Sequence, residues 1–445
     1  MITVNTIAVG LADGDETHAE RQFDPWRKPK SPAAEHFVEI IIEMIDNYEQ
    51  QYELRKRKRK AKDLYAFRRV ISAIISDLAV SALTEDSRGF RLYRSNGKLN
   101  YGSRYRTPVT TKTLPYLLDL MSDPVLRIVE QDLGKGASNA QGLQTVVRPT
   151  LELAELLSRH GLCANDFGEV EAIEPIELKG KKLLRNRSAP RVDYRDTDKT
   201  LRFRNEMQDI NRNLASAELA YTGPNRIDTN RRQLRRIFTR YKFASGGRLY
   251  GGFWQPMNKV DRLRHIRING EEVVELDYGQ IMPRLVYSIA NAAPDTPDLY
   301  DIPGFSDYRT GIKRVMSSML FLEKPMTKFP RGTRDLFPSH VSVTDVVEAV
   351  RKAHPAIAPF FFKGIGHRCQ YLESQIMIDV LRITLGMQDV GGVALPIHDA
   401  ILVPASGVEV AKNVMTYTFW LKTGLEGVVD VLTAHDFEDK LLDAA

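Results

Sequence analysis

The sequence predicts an α+β fold, in which an antiparallel sheet packs with helices in the C-terminal half and a mainly helical region precedes it. Three patterns lead to this prediction. Apolar residues recur at helical spacing in residues 36–52 and 70–83. A short strand pattern covers residues 273–276, and a hairpin pattern covers residues 393–403. Between these strands, residues 308–322 have a helical pattern, so helices and strands alternate within the C-terminal core.

The composition is that of an ordinary globular protein. The 445 residues are 43% hydrophobic and 27% charged, which excludes a collagen, a coiled-coil rod and a wholly disordered chain. Two cysteines, Cys163 and Cys369, are too few for a disulfide framework or a cysteine-based zinc site. No stretch approaches the roughly 18 apolar residues of a membrane span, and the N-terminus lacks a secretory signal pattern, so we expect a cytoplasmic protein.

Positive charge is concentrated in an N-terminal arm and helix, which we assign to residues 1–65. The chain has 63 lysines and arginines against 57 acidic residues, a net charge of +6. Residues 55–60 are an unbroken basic run that follows the first predicted helix. Contact with phosphates and a solvated helix end are both compatible with this run, and both interpretations stay open.

Residues 66–165 have the pattern of a small module. The predicted helices are residues 70–83, 110–121 and 151–160, and the strand patterns are residues 125–132, which a helix would also fit, and 143–147. Helices followed by a short β-hairpin are typical of a winged-helix DNA-binding module. A small helical packing domain is the alternative. Arginines crowd the loop that follows the first of these helices, which favours DNA binding.

Residues 166–245 are interpreted as a connector followed by a basic helix. Between residues 226 and 248, eight basic residues stand against a single acid, Asp228, and either Asp228 or Thr229 is expected to cap the helix. Helical spacing then aligns Leu234, Ile237 and Tyr241 in an apolar stripe. The arginines that we expect to contact a nucleic-acid backbone from the other face are Arg231, Arg235 and Arg236.

Two aspartates are candidate metal ligands in the C-terminal core, residues 246–445. Asp277 ends the first strand pattern, and Asp399 follows His398 at the predicted hairpin turn. Carboxylates at neighbouring strand ends suit a hard cation such as Mg²⁺, and two of them can hold a pair of ions about 3.5–4 Å apart. Such a pair favours in-line phosphoryl transfer. Pro396, in the first hairpin strand, predicts an edge position or a bulge.

A predicted helix between these aspartates carries further candidates. Arg309 and Lys313 are one helical turn apart, and Phe321 lies further along the same helix. An arginine and a lysine at this spacing can bind a triphosphate, while the aromatic ring can stack on a base. The alternative is an ordinary amphipathic helix with Val315 and Met319 in the core.

The order and spacing of these motifs resemble motifs A, B and C of family A DNA polymerases and of their relatives, the single-subunit phage-type RNA polymerases. Asp277-Tyr278-Gly279-Gln280-Ile281 is similar to DYSQI of motif A, Arg309-x3-Lys313-x7-Phe321 to R-x3-K-x7-Y of the fingers helix, and Ile397-His398-Asp399 to VHD of motif C. Gly247-Arg248-Leu249 and Gln255-Pro256-Met257 resemble the segment that contacts the primer–template, and residues 368–382 occupy the place of the helix that touches the template. The resemblance covers residues 246–405.

The resemblance implies a fold and residue roles. Residues 246–445 would form a palm, with its antiparallel sheet, and helical fingers, and residues 166–245 would be a connector with thumb-like helices. Two Mg²⁺ ions, which Mn²⁺ can replace, would be held by Asp277, Asp399 and the carbonyl of Tyr278. The implied nucleotide-binding residues are Arg309, Lys313, Phe321, Tyr278 and Met282, and Lys313 would also donate a proton to the departing pyrophosphate. The implied DNA contacts are Arg248, Gln255, His398 and Gln375.

Three departures from the family pattern bear on the choice of sugar and on the site. Met282 stands where family A DNA polymerases carry a glutamate that helps to exclude a ribose 2′-OH. Phe321 lacks the tyrosine hydroxyl of the fingers helix, and Ala400 replaces the acid after the His-Asp pair. The first 245 residues contain no acidic exonuclease set, so we expect no proofreading.

The sequence therefore predicts a metal-dependent nucleotidyltransferase that extends a nucleic-acid 3′ end from nucleoside triphosphates and releases pyrophosphate. DNA synthesis is the first expectation, with a DNA primer–template as partner and no membrane partner. A primase, an RNA polymerase or a template-independent terminal transferase on the same fold is the nearest alternative, with RNA as partner or product. A replication-initiator-like DNA-binding protein with an inactive palm is the alternative outside enzymes.

Overall fold

The computed structural model describes residues 21–84, 89–94, 103–107, 109, 111–134, 143–169, 174–182, 189–224, 227–387 and 392–437. They form a mixed α/β structure that divides into two compact units. The first unit comprises Met1–Glu174, Leu184–Ser188 and Pro224–Gln233, and the second comprises Pro175–Leu183, Ala189–Gly223 and Leu234–Ala445. Within these described ranges, no helix is both long and apolar enough to cross a membrane.

The first unit contains four helices and six short strands among its described residues. In chain order they are β1 (Arg21–Gln22), β2 (Arg27–Pro29), α1 (Pro32–Gln51), α2 (Ala61–Leu83), β3 (Phe90–Leu92), α3 (Thr113–Met121), β4 (Val129–Asp132), β5 (Thr145–Pro149), α4 (Leu151–Arg159) and β6 (Phe167–Glu169). Strands β1, β3, β5 and β4 form one sheet in that order, and β2 pairs with β6. All of these pairs are antiparallel except β1 with β3.

Helix α2 is the centre of the first unit. Its apolar residues at helical spacing, including Phe67, Val70, Ile71 and Ile74, are fully buried, because α1, α4 and the sheet pack around it. The helices predicted over residues 36–52, 70–83 and 151–160 are confirmed, although α2 begins nine residues earlier than its pattern, at Ala61. Residues 125–132 supply a strand, β4, rather than a helix.

The predicted wing falls between β4 and β5. These two strands are antiparallel and adjacent, as a hairpin requires. Residues 135–142, which would form the wing itself, lie outside the described residues. The winged-helix interpretation and its DNA-binding role therefore stay predictions.

The second unit contains the predicted chemical motifs. Its elements are β7 (Ile176–Leu178), α5 (Asp198–Ser216), β8 (Leu219–Tyr221), β9 (Arg235–Thr239), β10 (Lys242–Tyr250), α6 (Lys259–His265), β11 (Ile266–Ile268), β12 (Glu271–Tyr278), α7 (Ile281–Ile289), α8 (Arg309–Phe321), α9 (Val343–Ala353), α10 (Gly366–Thr384), β13 (Leu395–Ile397), β14 (Ala400–Pro404), α11 (Val408–Thr423) and β15 (Val429–Leu432). The predicted strand at 273–276, the hairpin at 393–403 and the helix at 308–322 are all present.

Strand β12 lies at the middle of the larger sheet of the second unit. The strand order is β13-β14-β12-β11-β8, and β15 also pairs with β12. All of these pairings are antiparallel. Strand β14 pairs along one edge of β12. The other edge of β12 is shared by β11 and β15. Pro396 lies in β13, which is at the end of this order, so the predicted edge position is confirmed.

The helix predicted between residues 226 and 248 is wrong. Strands β9 and β10 form an antiparallel hairpin there, with Lys242 paired to Thr239 across a two-residue turn. The turn residues Arg240 and Tyr241 have φ of 59° and 60°, the left-handed pair that a tight hairpin requires. Burial in β9 alternates from residue to residue, with Arg236 and Phe238 facing inward. The buried residues therefore follow the two-residue period of a strand and not the helical spacing on which the prediction was based.

Asp228 does not cap a helix either. It forms a salt bridge with Arg27, whose fully buried guanidinium also donates to Asp77 at 3.0 Å. Burial alone would lower the pKa of Arg27, but the surrounding carboxylates more than offset it and raise it above the ordinary value. This charge cluster fixes residues 224–233 within the first unit.

Candidate active site

The larger sheet of the second unit brings the two predicted metal ligands together. Asp277, near the end of β12, pairs directly with Ala400 in β14. Asp399 immediately precedes Ala400 in the two-residue turn between β13 and β14. The amide of Tyr278 donates to the carbonyl oxygen of Asp399 at 3.2 Å, so the backbones of the two motifs are in direct contact. Antiparallel pairing thus places Asp277 beside Asp399, although a long stretch of chain separates them.

The charge on Asp277 is strongly disfavoured in this position. Burial raises the pKa of Asp277 to about 8, and the negative charges of Asp399 and Glu275 add to the effect. Its Oδ1 is buried and has no hydrogen-bond partner among the described residues. A buried carboxylate oxygen without a partner, next to a second carboxylate, fits the ligands that a hard divalent cation prefers. Asp277 and Asp399 could therefore hold Mg²⁺.

Helix α8 brings Lys313 near Asp277 and Arg309 near Asp430. Lys313 lowers the pKa of Asp277 through its positive charge, which opposes the effect of burial. Its ammonium group lies 6.0 Å from the centre of the Tyr300 ring, and the Arg309 guanidinium lies 5.5 Å from the same centre. Burial raises the pKa of Tyr300, and the charge of Asp399 contributes, so Tyr300 is close enough to both the cations and Asp399 to feel their charges.

Arg309 already has an acidic partner in the structure. Its guanidinium donates to both carboxylate oxygens of Asp298, at 2.6 and 3.2 Å. About half of the Arg309 side chain remains exposed to solvent. An anionic ligand could therefore compete with Asp298 for this guanidinium, in a geometry suited to phosphate oxygens.

Phe321, at the C-terminal end of α8, is half-buried against the start of α10. Its ring meets His367 edge-on, with centroids 5.2 Å apart. A Cβ atom on Gly366 would lie 2.9 Å from this ring, so the close approach requires a glycine. The Met282 side chain is also half-buried, in the first turn of α7.

The side chain of Tyr278 is bound within the protein. It is buried, and its hydroxyl donates to the carbonyl of Met415 at 2.7 Å. Burial raises the pKa of this hydroxyl far above its ordinary value. Only the main chain of Tyr278 is thus left for the role that the sequence implied.

His398 occupies the turn of the hairpin in a left-handed conformation, with φ of 60°. Burial lowers the pKa of His398 to about 4, and the charges of Arg248 and Arg262 act in the same direction. The imidazole is therefore neutral at pH 7. Its Nδ1 is buried and lacks a partner among the described residues.

The other predicted DNA contacts have partners within the protein. Arg248 donates to both carboxylate oxygens of Glu373, at 2.6 and 2.7 Å. Burial would lower the pKa of Arg248, but this carboxylate more than offsets it and keeps the guanidinium charged. Gln255 donates to the carbonyls of Leu249 and Pro396, both at 3.0 Å. Gln375 accepts from Tyr371 at 3.2 Å.

The three arginines predicted to share a helix face do not do so. Arg231 is exposed and belongs to the first unit, ahead of β9. Arg235 faces Glu177 at 3.4 Å, whereas Arg236 is fully buried and bonded to Glu206 and Ser374, both at 3.1 Å. Arg236 is therefore not available to a phosphate.

Sequence reasoning missed an acid beside the site. Asp430 in β15 pairs directly with Asp277 in β12 and is exposed. A Cβ atom on Gly279 would lie 3.1 Å from Oδ2 of Asp430, so this carboxylate reaches over the end of β12. The only signal in the sequence was the short alternation of Val429, Asp430 and Val431, which does not reveal the strand that it joins.

The sequence matches no protein-family model and no curated protein. Among solved structures, it is similar to the POL domain of Pol1 from M. smegmatis, in complex with DNA primer-template and dNTP. The match has 11% sequence identity and a TM-score of 0.30, and it covers 83% of this chain and 65% of that domain. At this TM-score the structural likeness is weak.

Proposed function

We propose that this chain is a metal-dependent nucleotidyltransferase that resembles family A DNA polymerases and extends a nucleic-acid 3′ end. One observation carries the proposal: the carboxylates Asp277 and Asp399 lie side by side, and Lys313 of α8 is close enough for its charge to lower the pKa of Asp277. Carboxylates that repel each other need a cation, and a triphosphate needs the arginine and the lysine. This combination is the chemical requirement of phosphoryl transfer from a nucleoside triphosphate.

Asp277, Asp399 and the main-chain carbonyl of Tyr278 are the proposed ligands of two Mg²⁺ ions. Bound there, Mg²⁺ supplies charge neutralisation for the attacking and departing oxygens. In the transfer, the 3′-hydroxyl loses its proton to solvent, its oxygen forms a bond to the α-phosphorus of the nucleotide, and the bond between that phosphorus and pyrophosphate breaks. Lys313 gives a proton to the departing pyrophosphate, and Arg309 exchanges Asp298 for phosphate oxygens.

The proposed domain organisation follows from these roles. Residues 246–445 act as palm and fingers, with Phe321 and Met282 beside the incoming nucleotide. Arg248 and His398 lie close enough for the charge of Arg248 to lower the His398 pKa, and they are proposed to contact the primer end. Gln255 and Gln375 are proposed to contact the primer–template DNA, which requires both to leave partners that they have in this structure.

Ribonucleotide incorporation is a second candidate activity on the same site. Met282 is half-buried and apolar, so it offers no carboxylate against a ribose 2′-OH, and Phe321 offers no hydroxyl. A comparison of deoxynucleotides with ribonucleotides, with and without a template, separates a DNA polymerase from an RNA polymerase, a primase and a terminal transferase.

The proposed function is tested by nucleotide incorporation on a labelled primer–template with Mg²⁺. We expect Asp277→Asn and Asp399→Asn each to abolish incorporation while folding and DNA binding are retained, since each removes a proposed metal ligand. Asp209→Asn is the matched control, because the Asp209 carboxylate pairs with Arg212 on the surface of α5. Full incorporation by both site variants would disprove the proposal. DNA binding by a wild-type protein that incorporates nothing would instead favour the initiator-like alternative.

A further inference from the structure

The basic run of the sequence forms a loop in the first unit. We call residues 54–60, which join α1 to α2, the basic loop. Arg59 anchors it: its guanidinium forms salt bridges with Asp46 at 3.1 Å and Glu49 at 2.6 Å. It also lies 3.4 Å from the centre of the Phe67 ring. One cation of the run is thus structural, and it fixes the loop against both helices.

The anchor uses the nearby carboxylates. Glu49 is buried, and besides Arg59 it accepts a hydrogen bond from the Tyr116 hydroxyl at 2.7 Å. Among the described residues, the exposed side chains of Lys56, Arg57 and Lys58 form no salt bridge. A solvated surface usually intersperses acids with its cations, but this loop presents adjacent cations without acids between them.

A groove lies beside these cations. It has a volume of about 360 Å³ and is lined by Asp46, Gln50, Leu64 and residues 55–59. Nη1 of Arg55 is buried there and has no hydrogen-bond partner among the described residues. A buried guanidinium donor without an acceptor is costly, so this atom indicates that an acceptor from outside the chain completes the groove.

We propose that the basic loop and its groove bind the phosphate backbone of a nucleic-acid strand. Arg55 holds one phosphate in the groove, and Lys56, Arg57 and Lys58 neutralise the neighbouring phosphates. Tyr52 lies two residues before the loop, with 46% of its surface exposed, and the side of its ring that does not contact Tyr48 offers a surface on which a base can stack. This site is separate from the paired aspartates, and it rests on the proposed function only in the choice of nucleic acid as partner.

The test measures binding of a fluorescent single strand and a duplex over a range of salt concentrations, without Mg²⁺ or nucleotides. The variant carries Lys56→Gln, Arg57→Gln and Lys58→Gln, and it leaves the Arg59 anchor intact. A matched control carries Arg127→Gln, Arg159→Gln and Arg212→Gln, which removes three charges that already face carboxylates. A second variant, Arg55→Gln, tests the groove, and thermal melting of each variant verifies folding.

We expect the triple variant to bind more weakly and to lose part of its salt dependence. Three lost phosphate contacts reduce the slope of log K against log salt by about 3 for a duplex and about 2 for a single strand. The control keeps the wild-type slope. An unchanged slope in the triple variant, or an equal fall in the control, would overturn the proposal. A triple variant that loses binding to anionic vesicles but keeps its binding to nucleic acid would also overturn it. The test measures binding and no catalysis, so its result does not depend on the outcome of the incorporation assay.

Discussion

At the scale of single residues, the account depends on how burial and charge act on Asp277 and Lys313. Burial and the neighbouring carboxylates raise the pKa of Asp277, and Lys313 opposes them. Lys313 thus partly compensates the negative charge around Asp277 and is proposed to protonate pyrophosphate during the reaction. The sequence indicates both residues as candidates, since a strand-end aspartate and a helix with cations one turn apart are local patterns.

Lys313→Gln tests the proposed proton donor. We expect kcat for single-nucleotide incorporation to fall about 100-fold or more, because general acid catalysis contributes at least that much. Arg314→Gln is the control on the same helix, since the Arg314 guanidinium donates to the carbonyl of Gly332 instead of facing the aspartates. Rapid-quench measurements at saturating nucleotide separate this effect from nucleotide affinity. Equal rates in the two variants would contradict the assignment.

Tyr300 and Asp430 show what residue-level patterns miss. Tyr300 lies beneath Arg309 and Lys313, and Asp430 pairs with Asp277 through β15. Neither belongs to a local motif, because each reaches the site through tertiary pairing. Arg236 shows the converse: its sequence context is a basic cluster, but its partners Glu206 and Ser374 come from distant helices and sequester it.

At the scale of elements, periodicity predicted helices α1, α2 and α8 and the site strands but misassigned the basic hairpin. Helices α1 and α2 have sustained apolar stripes, and tertiary packing only extends their ends. In the segment between residues 226 and 248, the apolar residues are few and fit both a helical and a strand period. The turn at Arg240 and Tyr241 gave no warning, since neither residue is one that usually adopts a left-handed conformation.

The Tyr241 position provides a test of the hairpin. In a turn with φ of 60°, Tyr241→Gly should be more stable than Tyr241→Ala by about 1–2 kcal/mol, because only glycine adopts this conformation without a steric cost. In a helix the order would reverse, with glycine about 1 kcal/mol less stable than alanine. Urea unfolding of the two variants measures the difference. An alanine variant that is the more stable of the two would contradict the hairpin.

At the scale of the whole molecule, the chain forms two units whose boundaries do not follow the sequence order. Residues 224–233 belong to the first unit although they follow α5 and β8 of the second. The buried pair of Arg27 and Asp228 explains this, since Arg27 is fully buried and needs its carboxylates. Dividing the sequence into consecutive regions cannot predict that residues 224–233 belong to the first unit, because Arg27 and Asp228 are far apart in the sequence.

Asp228→Asn tests the attachment of this segment. We expect the first unit to lose about 1–2 kcal/mol, because a charged hydrogen bond is weakened at a site that is only partly exposed. Hydrogen exchange measured by mass spectrometry should then show faster exchange of the α2 amides, with β12 amides unchanged as the internal control. Unaltered exchange in α2 would show that residues 224–233 do not stabilise the first unit.

The central claim is that Asp277 and Asp399 together hold the ions that serve nucleotide transfer. The most direct measurement is anomalous diffraction from crystals grown with Mn²⁺ and a non-hydrolysable deoxynucleoside triphosphate. We predict two Mn²⁺ peaks about 3.5–4 Å apart, both bonded to carboxylate oxygens of Asp277 and Asp399, with the triphosphate against Lys313. A triphosphate bound without Mn²⁺ at these carboxylates, or Mn²⁺ at another cluster, would contradict the account.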